Sequence, residues 1–554
     1  MDLIQKTRQF LADKNFDYLL VNATNEFLVE YSPLSENSRY FLTNFSGSTG
    51  DALLSKDDLF LFVDGRYHQQ ADLEVDHSKV TVVKMKLGQS FSEPLNKIIK
   101  PKKTLAIVSK KNSQGRLEIL HSALKDKNLE IKLLDFDPVM ELVEQEKPQT
   151  RKDVYVIEQI DVKYTGASAE EKLENISSKI KLNEAIFITN LEEVSYLSNL
   201  RDFSQNYSSK IQAKCLVTKE KAVLFTDEEI KFGLSSFEIK KMVEFEKYVK
   251  SLGSVDTFFA DKSLINIFDY NILTSKARVI HKDFIKDIKS VKTEAEIEHY
   301  KKCFERTDKA IFAVREFIEK SENSGENLSE YDIAKKLEES FYHYGARSLS
   351  FNSIVAKDKN SALAHYTQNS TDEILTDGSM VLMDCGAYYE GGYATDCTRV
   401  FVKGTPSDLQ KNVYTVVLKG FLAAVNKKVT ARTSGYSLDR AARKVLLKHA
   451  PNGFEFSHSL GHGIGISVHE SPPTLSPSPL AKTPFKPNMC FTIEPGLYKK
   501  GFGGVRLENT FYMEEKDGEL RVKSFSNMCF EKKLIDFALL SYREKKVLKN
   551  FEVR

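Results

Sequence analysis

The most informative part of this chain is "HSLGHGIGISVHES", which runs from His458 to Ser471. It places three histidines within twelve residues and separates them with glycines, although the whole chain of 554 residues contains only 11 histidines. Imidazole is a common metal ligand and proton carrier, and glycine lets a backbone approach its surroundings closely. A cluster of this composition indicates a place where the chain holds a metal ion or a substrate.

Two aspartates lie upstream of the histidines in "MDCGAYYEGGYATDC" (Met383–Cys397), whose Tyr- and Gly-rich middle predicts a hairpin that turns near "YEGG". Side chains alternate along a strand, and the separation of Asp384 and Asp396 is even, so both are expected to face one side. Cys385 and Cys397 would then face the other side. We interpret these two cysteines as small buried hydrophobic residues rather than as ligands.

Two glutamates, Glu494 in "FTIEPG" and Glu508 in "VRLEN", interrupt otherwise apolar strands. A buried carboxylate is costly unless it is paired or bound to a metal. Carboxylates with one imidazole suit Mn²⁺, or Co²⁺, Fe²⁺ or Zn²⁺, and four carboxylates fit two bridged cations better than one tetrahedral zinc. The sequence contains no HExxH, no GxxxxGK[ST] and no GxSxG, which excludes a zincin, a P-loop enzyme and a nucleophile-elbow hydrolase on motif.

The N-terminal half repeats one pattern. "DYLLVNATNEF" from Asp17 is similar to "EAIFITNLEEV" from Glu184, and "DALLSKDDLFLFVDGR" from Asp51 is similar to "AKCLVTKEKAVLFTDEE" from Ala213. Two matches at nearly one offset predict a duplicated domain, with two unrelated domains as the alternative. Short β-rich runs alternate with helical stretches in both copies, which is typical of α/β domains. The charged segment "VEQEKPQTRKD" (143–153) is predicted to join them.

The C-terminal region has a different pattern. Thr293 with Glu296, and Ser407 with Gln410, fit capping boxes at the start of two long helices. Strand-and-turn segments lie between and after these helices, which predicts an α+β domain with a curved, largely antiparallel sheet. The predicted domains are therefore 1–150 (α/β), 151–290 (α/β) and 291–554 (α+β).

Composition narrows the function classes. Lys and Arg total 80 and Asp and Glu total 78, so no strong field favours nucleic acid or an anionic membrane as a partner. No stretch reaches the roughly 18 apolar residues that span a bilayer. The start of the chain is too polar for a signal peptide, and the six scattered cysteines form no CxxC, so we expect a cytoplasmic protein with reduced thiols.

The motifs in combination resemble a known family. "NSALAHY" (360–366), the aspartate pair, "GHGIG…VHESP", "TIEPG" and "GVRLEN" resemble, in this order, the pita-bread metallopeptidases. "FSGSTG…FVDGRY" and "CFEKKLID…LLSYREKKVL" further resemble the three-domain Xaa-Pro aminopeptidases. The resemblance implies two creatinase-like N-terminal domains, a pita-bread catalytic domain, a homodimer, and hydrolysis of the bond between the first residue of a peptide and a following proline.

The resemblance also implies roles for individual residues. Its five ligands to two divalent metal ions, most readily Mn²⁺, correspond to Asp384, Asp396, His462, Glu494 and Glu508. His365 and His469 correspond to catalytic histidines that bind no metal, and Glu494 to the group that carries a proton to the leaving nitrogen. His458 corresponds to a substrate-pocket residue, Arg506 to an arginine beside the site, and Arg66 to an N-terminal-domain contact with the peptide. The glycines 461, 463 and 465 are expected to let the backbone pass close to the metals.

One feature departs from the family pattern, because the Asp384–Asp396 hairpin is one residue longer than usual. Without a bulge to absorb the extra residue, one aspartate would face away. Three alternatives to an aminopeptidase remain: a prolidase that takes only Xaa-Pro dipeptides, another hydrolase of this fold, and a binding protein that has lost catalysis. A methionine aminopeptidase would lack the two N-terminal domains, an arginine- or creatine-type hydrolase would not need five ligands, and a non-catalytic protein should lack some of them.

Overall fold

A computed structural model describes residues 2–146 and 155–554. Residues 147–154, which contain most of the predicted joining segment 143–153, lie outside the described residues. The chain forms two compact units. The first contains the N-terminal part up to Tyr155 with residues 169–198 and 211–285, and the second contains residues 156–168, 199–210 and 286–554.

The N-terminal part builds one six-stranded sheet with helices around it. Its strands are β1 (Tyr18–Asn22), β2 (Asp51–Ser55), β3 (Leu59–Val63), β4 (Thr81–Lys84), β5 (Thr104–Val108) and β6 (Glu130–Leu134). Its helices are α1 (Leu3–Asp13), α2 (Ser38–Thr43), α3 (His68–Glu74), α4 (Ser92–Ile98), α5 (Gln114–Ala123) and α6 (Pro138–Glu146). The strand order is β4-β3-β2-β1-β5-β6.

The next part of the chain builds a second six-stranded sheet. The strands of this part of the chain are β7 (Ile157–Gln159), β8 (Glu184–Ile188), β9 (Leu200–Asp202), β10 (Lys214–Thr218), β11 (Ala222–Phe225), β12 (Phe237–Lys240), β13 (Thr257–Ala260) and β14 (Arg278–His281). β7 and β9 form a short pair that belongs to the second unit, and the other six strands form the sheet. The helices are α7 (Val162–Thr165), α8 (Ala169–Ser177), α9 (Leu191–Ser198), α10 (Phe245–Ser251), α11 (Ile267–Lys276) and α12 (Lys286–Ser290). The strand order of the sheet is β12-β11-β10-β8-β13-β14.

The two sheets have one topology, which confirms the predicted duplication. In both, the first strand pairs antiparallel with the second and parallel with the fifth, and the outermost strands on both edges are parallel to their neighbours. The registers agree as well. Tyr18 pairs with Ser55 on one side and Leu105 on the other, as Ala185 pairs with Thr218 and Phe258.

The C-terminal part is the predicted α+β domain. Its helices are α13 (Glu294–Ser324), α14 (Glu330–His343), α15 (Asp408–Val425), α16 (Gly435–His449) and α17 (Tyr542–Leu548). Its strands are β15 (Ser348–Leu349), β16 (Ile354–Lys357), β17 (Met380–Cys385), β18 (Ala387–Tyr388), β19 (Cys397–Val402), β20 (Gly461–Gly463), β21 (Glu470–Leu475), β22 (Cys490–Ile493), β23 (Gly496–Lys499), β24 (Gly503–Arg506), β25 (Asn509–Lys516) and β26 (Glu519–Ser524).

Every strand ladder of this domain is antiparallel, in sheets ordered β16-β17-β19 and β21-β20-β22-β25-β26 and in two short pairs, within the residues that the structure describes. Both predicted capping boxes are present, from Thr293 and Glu296 at α13 and from Ser407 and Gln410 at α15. Among the described helices, none is long and apolar enough to cross a membrane.

Side chains alternate along β17, so successive residues pack into two different hydrophobic cores. Met380 and Leu382 pack into the core with α15 and α16, whereas Val381 and Met383 pack into the core with α13 and α14. Asp384 continues the first series, so it extends from the face that carries α15 and α16. The candidate site is therefore placed at the end of this strand, beside the first core.

Candidate metal centre

The aspartate hairpin keeps one register throughout. Asp384 of β17 pairs with Thr398 of β19, and the bridge between Tyr388 and Ala394 continues the same register toward the turn. Asp396 precedes Thr398 by two residues, so both aspartates lie on the same face, as the even separation predicts. The longer hairpin therefore turns neither aspartate away, and no bulge is needed, because Gly391 and Gly392 close the turn with positive φ.

The cysteines next to the aspartates face the opposite core, as predicted. Cys385 and Cys397 pair with one another across the two strands and are fully buried. Burial raises the pKa of both thiols, that of Cys397 to about 12. All six cysteines of the chain are free and buried.

The central histidine of the cluster faces the acids. His462 lies in β20, and its Nδ1 is 3.0 Å from the carbonyl oxygen of Gly463. Because a carbonyl oxygen only accepts, Nδ1 is the donor in this contact, and Nε2 is the nitrogen that faces the acids. Nε2 lies 3.5 Å from Oδ2 of Asp396 and 3.6 Å from Oε1 of Glu494. With Nδ1 held by the carbonyl, Nε2 is the nitrogen that could bind a metal ion between the imidazole and the carboxylates.

Three buried carboxylate oxygens converge here without a hydrogen-bond partner: Oδ1 of Asp384, Oδ1 of Asp396 and Oε1 of Glu508. Ligand atoms of Asp396, His462 and Glu508 all lie within 4.8 Å of one another. Buried anionic oxygens without donors are strongly unfavourable unless a cation binds them. The donor set of carboxylates and one imidazole therefore fits a divalent metal ion.

The charges of this cluster act on each other. Burial, and then the neighbouring carboxylates of Glu508, Asp384 and Glu494, raise the pKa of Asp396 well above its usual range. Burial and the charge of Asp384 raise the pKa of Glu508 to about 8, against the opposing effect of Thr398 and Arg506. Several like charges in one buried place cannot all be ionised without a counter-charge, and a metal ion supplies one.

Arg506 lies beneath the cluster and is 3% exposed. Its Nη2 forms an ion pair with Asp384 and also donates to the carbonyl of Ala364, the residue before His365. Its Nη1 donates to the hydroxyl of Tyr498 at 2.6 Å. Its guanidinium is therefore bonded to Asp384, Ala364 and Tyr498 beside the candidate site.

The other two histidines of the cluster have different neighbours. The ring of His469 is 4.3 Å from the ring of His462, at 72° to it. His458 is largely buried, with Nδ1 2.7 Å from the carbonyl of Ser459 and Nε2 3.0 Å from the hydroxyl of Tyr498. His365 follows the short 3-10 segment Asp358–Ala362 and is half-buried.

Arg66 belongs to the first compact unit and is described there. Its guanidinium is 2.8 Å from Asp64 and 3.7 Å from Glu30, and it donates to the hydroxyl of Thr49 at 3.0 Å. The side chain remains 25% exposed. The structure thus gives Arg66 acidic partners within its own domain.

Sequence reasoning missed two polar residues of the centre. Thr398 donates its hydroxyl to Oε2 of Glu508 at 2.7 Å, and Tyr498 links His458 to Arg506. Strand alternation from Asp396 could have found Thr398, which lies two residues further along the same face. No local signal marks Tyr498, because its partners come from other strands.

The glycines of the histidine cluster lie at close contacts with neighbouring chain segments. A Cβ at Gly461 would overlap the carbonyl oxygen of Thr492 in the neighbouring strand β22. A Cβ at Gly463 would meet the carbonyl of Glu470, and one at Gly465 would overlap the Glu470 carboxylate. These glycines thus let neighbouring chain segments approach one another around the site.

Comparison with known proteins gives matches along most of the chain. A profile of metallopeptidase family M24 matches residues 298–515, and two profiles of the creatinase/prolidase N-terminal domain match residues 4–143 and 146–296. An uncharacterized peptidase of Schizosaccharomyces pombe is 28% identical over 99% of this chain and 94% of its own length. A probable Xaa-Pro aminopeptidase P of Laccaria bicolor is 28% identical over 99% of this chain and 88% of its own length.

A solved structure has a similar fold over the whole chain. The X-prolyl aminopeptidase from Caenorhabditis elegans, described as a cytosolic enzyme with a di-nuclear active site, superposes with a TM-score of 0.88. The alignment covers 99% of this chain and 95% of that one, at 22% identity. At this identity the likeness establishes the shared fold, two creatinase-type domains and a pita-bread domain.

Proposed function

The chain belongs to metallopeptidase family M24 and carries two creatinase/prolidase N-terminal domains, and on this premise we propose that it is a Xaa-Pro aminopeptidase. It would hydrolyse the peptide bond between an N-terminal residue and a following proline. The observation that carries the proposal is the cluster of ligand atoms of Asp396, His462 and Glu508 within 4.8 Å of one another, where both carboxylates have a buried oxygen without a donor. The name of the Laccaria bicolor relative supports the choice of substrate.

The proposed ligands of two divalent cations are Asp384, Asp396, His462, Glu494 and Glu508. When bound, the cations would lower the pKa of a shared water and polarise the scissile carbonyl. Mn²⁺ is the proposed metal because carboxylate-rich sites suit it, with Co²⁺, Zn²⁺ and Fe²⁺ as the other candidates. Arg506 and Thr398 would hold Asp384 and Glu508 in the ligating orientation through the hydrogen bonds described above.

The residues of the chain then have separate tasks in the reaction. His469, beside His462, would donate a hydrogen bond to the oxygen that becomes negatively charged. Glu494, which faces Nε2 of His462, would accept the proton of the water and transfer it to the departing proline nitrogen. His365 and His458 would hold the peptide. Proline is selected because its ring fixes φ and its nitrogen has no hydrogen, so a shaped pocket can require it.

A direct comparison of substrates tests this function. The purified chain with Mn²⁺ should cleave Xaa-Pro-Xaa and longer peptides well, and Xaa-Pro dipeptides poorly. Replacing the second-position proline by alanine, or acetylating the N-terminus, should reduce kcat/KM by orders of magnitude. Better turnover of dipeptides would identify a prolidase instead. Absence of turnover by the metal-loaded protein on every peptide would favour the non-catalytic binding protein.

Three further features belong to the same proposal. The domain boundaries would be 1–150, 151–290 and 291–554, which limited proteolysis can locate. The assembly would be a homodimer, which sedimentation can measure. The location would be cytoplasmic, in keeping with six free cysteines and with the cytosolic enzyme of Caenorhabditis elegans, and cell fractionation can test it.

A further inference from the structure

The loop that carries His469 is built around one buried carboxylate, that of the next residue, Glu470. Strands β20 and β21 pair His462 with Thr474 but Gly463 with Glu470, so the ladder changes register between the two pairs. The pair of Gly463 and Glu470 closes a loop of residues 464–469. Glu470 thus follows His469 directly in the chain and pairs across the strands with Gly463, the residue after His462.

The carboxylate of Glu470 folds back into this loop. Its Oε1 accepts hydrogen bonds from the backbone N–H groups of Ile466, at 2.7 Å, and Ser467, at 3.2 Å. It also occupies the space in which a side chain of Gly465 would begin, so residue 465 can only be glycine while the carboxylate is there. The loop therefore has its shape because its centre is filled by an anion.

Two lysines hold the other oxygen of the carboxylate. Lys289 Nζ lies 3.0 Å and Lys292 Nζ 3.2 Å from Oε2 of Glu470, and all three side chains are at most 4% exposed. Burial alone would raise the pKa of Glu470, but the two ammonium groups outweigh burial and lower the pKa to about 2. The carboxylate is therefore ionised at neutral pH, and it ties the loop to α12 and to the segment that begins α13.

We propose that Glu470 is a positioning residue, which fixes the imidazole of His469 beside His462 by holding the 464–469 loop on Lys289 and Lys292. This inference deepens the proposed function and rests on it. Removing the charge weakens the hydrogen bonds from the two loop N–H groups and takes away the anion that faces the ammonium groups of Lys289 and Lys292, so the loop relaxes. A displacement of about 1 Å at a catalytic group can cost roughly a hundredfold in rate.

The test is a double-mutant cycle between Glu470→Gln and His469→Ala. Glutamine keeps the size of the side chain and removes the charge. Glu470→Gln should lower kcat by about 10- to 100-fold, with KM within about twofold and the metal content unchanged. In the double variant, kcat should lie within about twofold of His469→Ala alone, because both changes remove the same interaction. Losses that multiply, or loss of metal from Glu470→Gln, would overturn the proposal.

A second measurement does not depend on the substrate. Amide hydrogen exchange of residues 464–470 should be faster in Glu470→Gln than in the unmodified protein, because the loop opens more often. The control is Glu531→Gln, since Glu531 is also buried and lies 3.7 Å from a buried arginine, Arg315, but contacts no part of the loop. Unchanged exchange in the loop would overturn the proposal, whether or not the chain cleaves Xaa-Pro peptides. A lack of cleavage without a change in this result would reject only the proposed function.

A milder variant tests the same proposal if Glu470→Gln does not fold. Lys292→Met removes one of the two cations and leaves Lys289 on the carboxylate. Its loss of kcat should be smaller than that of Glu470→Gln and should likewise vanish in the His469→Ala background. A Lys292→Met loss that persists undiminished in that background would mean that the ion pair acts elsewhere, and the proposal would fail.

Discussion

At the scale of single residues, two carboxylates of the centre are oriented by hydrogen bonds from residues that are not proposed as metal ligands. Oε2 of Glu508 is held by the hydroxyl of Thr398, and Asp384 is held by Arg506. In each case one carboxylate oxygen is bonded to the protein and the other has no donor. This division leaves one oxygen of each acid available to a cation.

The role of Thr398 can be measured directly. Thr398→Val keeps the shape of the side chain but removes the donor to Glu508, so we expect metal affinity to fall by about 10- to 100-fold while the fold persists. The control is Thr415→Val, which removes an equally buried hydroxyl from α15, far along the chain from any predicted ligand. Titration of metal-free protein with Mn²⁺ gives both affinities. Equal affinity in the two variants would contradict the assignment.

The rings of His462 and His469 are 4.3 Å apart, yet replacing each histidine by alanine should affect metal content and activity differently. His462→Ala should lose metal and activity together. His469→Ala should keep its metal and its fold while kcat falls by about 10²–10³, the usual cost of one preorganised oxyanion donor. Metal analysis beside kinetics separates the two results. If His469→Ala released the metal, His469 would be a ligand and the proposed division of roles would be wrong.

At the scale of elements, the strands deliver the acids to one place through their alternation. β17 and β19 present Asp384 and Asp396 on the face shared with α15 and α16, while the cysteines beside them fill the opposite core. β20 presents His462 against β22, which leads directly to Glu494. Close strand packing at these points requires residues without a side chain.

Gly461 is such a point, and a methyl group there would overlap the carbonyl oxygen of Thr492. Gly461→Ala should destabilise the protein by about 1–3 kcal/mol and reduce its metal content, because β20 must move away from β22. Gly253→Ala is the matched control, since no atom lies within 4 Å of its would-be Cβ. Its effect on the free energy of unfolding should stay within about 0.5 kcal/mol. Denaturant unfolding of both variants compares them.

The sequence predicted what is local and periodic. The even separation of Asp384 and Asp396, the capping boxes at Thr293 and Ser407, and the repeated strand pattern all depend on residues near each other in the chain. The contacts of Tyr498 with His458 and the pairing of Glu470 with Lys289 could not be predicted, because they join distant segments whose approach depends on the complete fold. The sequence marked Gly461, Gly463 and Gly465 as places of close approach, but the atoms that lie against them could be identified only from the structure.

At the scale of the whole molecule, the chain combines two copies of one sheet with a domain that matches metallopeptidase family M24. The longer N-terminal part is what distinguishes this layout from a catalytic domain alone, and by the family resemblance it would meet the part of a peptide beyond proline. Arg66 is the residue of this part to which the resemblance assigns a contact. Its charge is already shared with Asp64 and Glu30.

Arg66→Ala tests that contact through substrate length. We expect kcat/KM to fall about tenfold for tripeptides and longer substrates, as for loss of one charged hydrogen bond, and to stay within about twofold for Xaa-Pro dipeptides. Arg8→Ala serves as the control, because Arg8 donates to backbone carbonyls of Ser55 and Asp57 within the same sheet domain. An equal loss for short and long peptides would remove Arg66 from the peptide-binding surface.

The division into two compact units has a calorimetric consequence. All the proposed metal ligands belong to the second unit, so Mn²⁺ would bind one unit and not the other. A ligand present at about 100 times its Kd adds about 2.7 kcal/mol to the stability of the body that binds it. Scanning calorimetry of the metal-free chain and of the chain with increasing Mn²⁺ should therefore show one endotherm moving to higher temperature while the other stays in place.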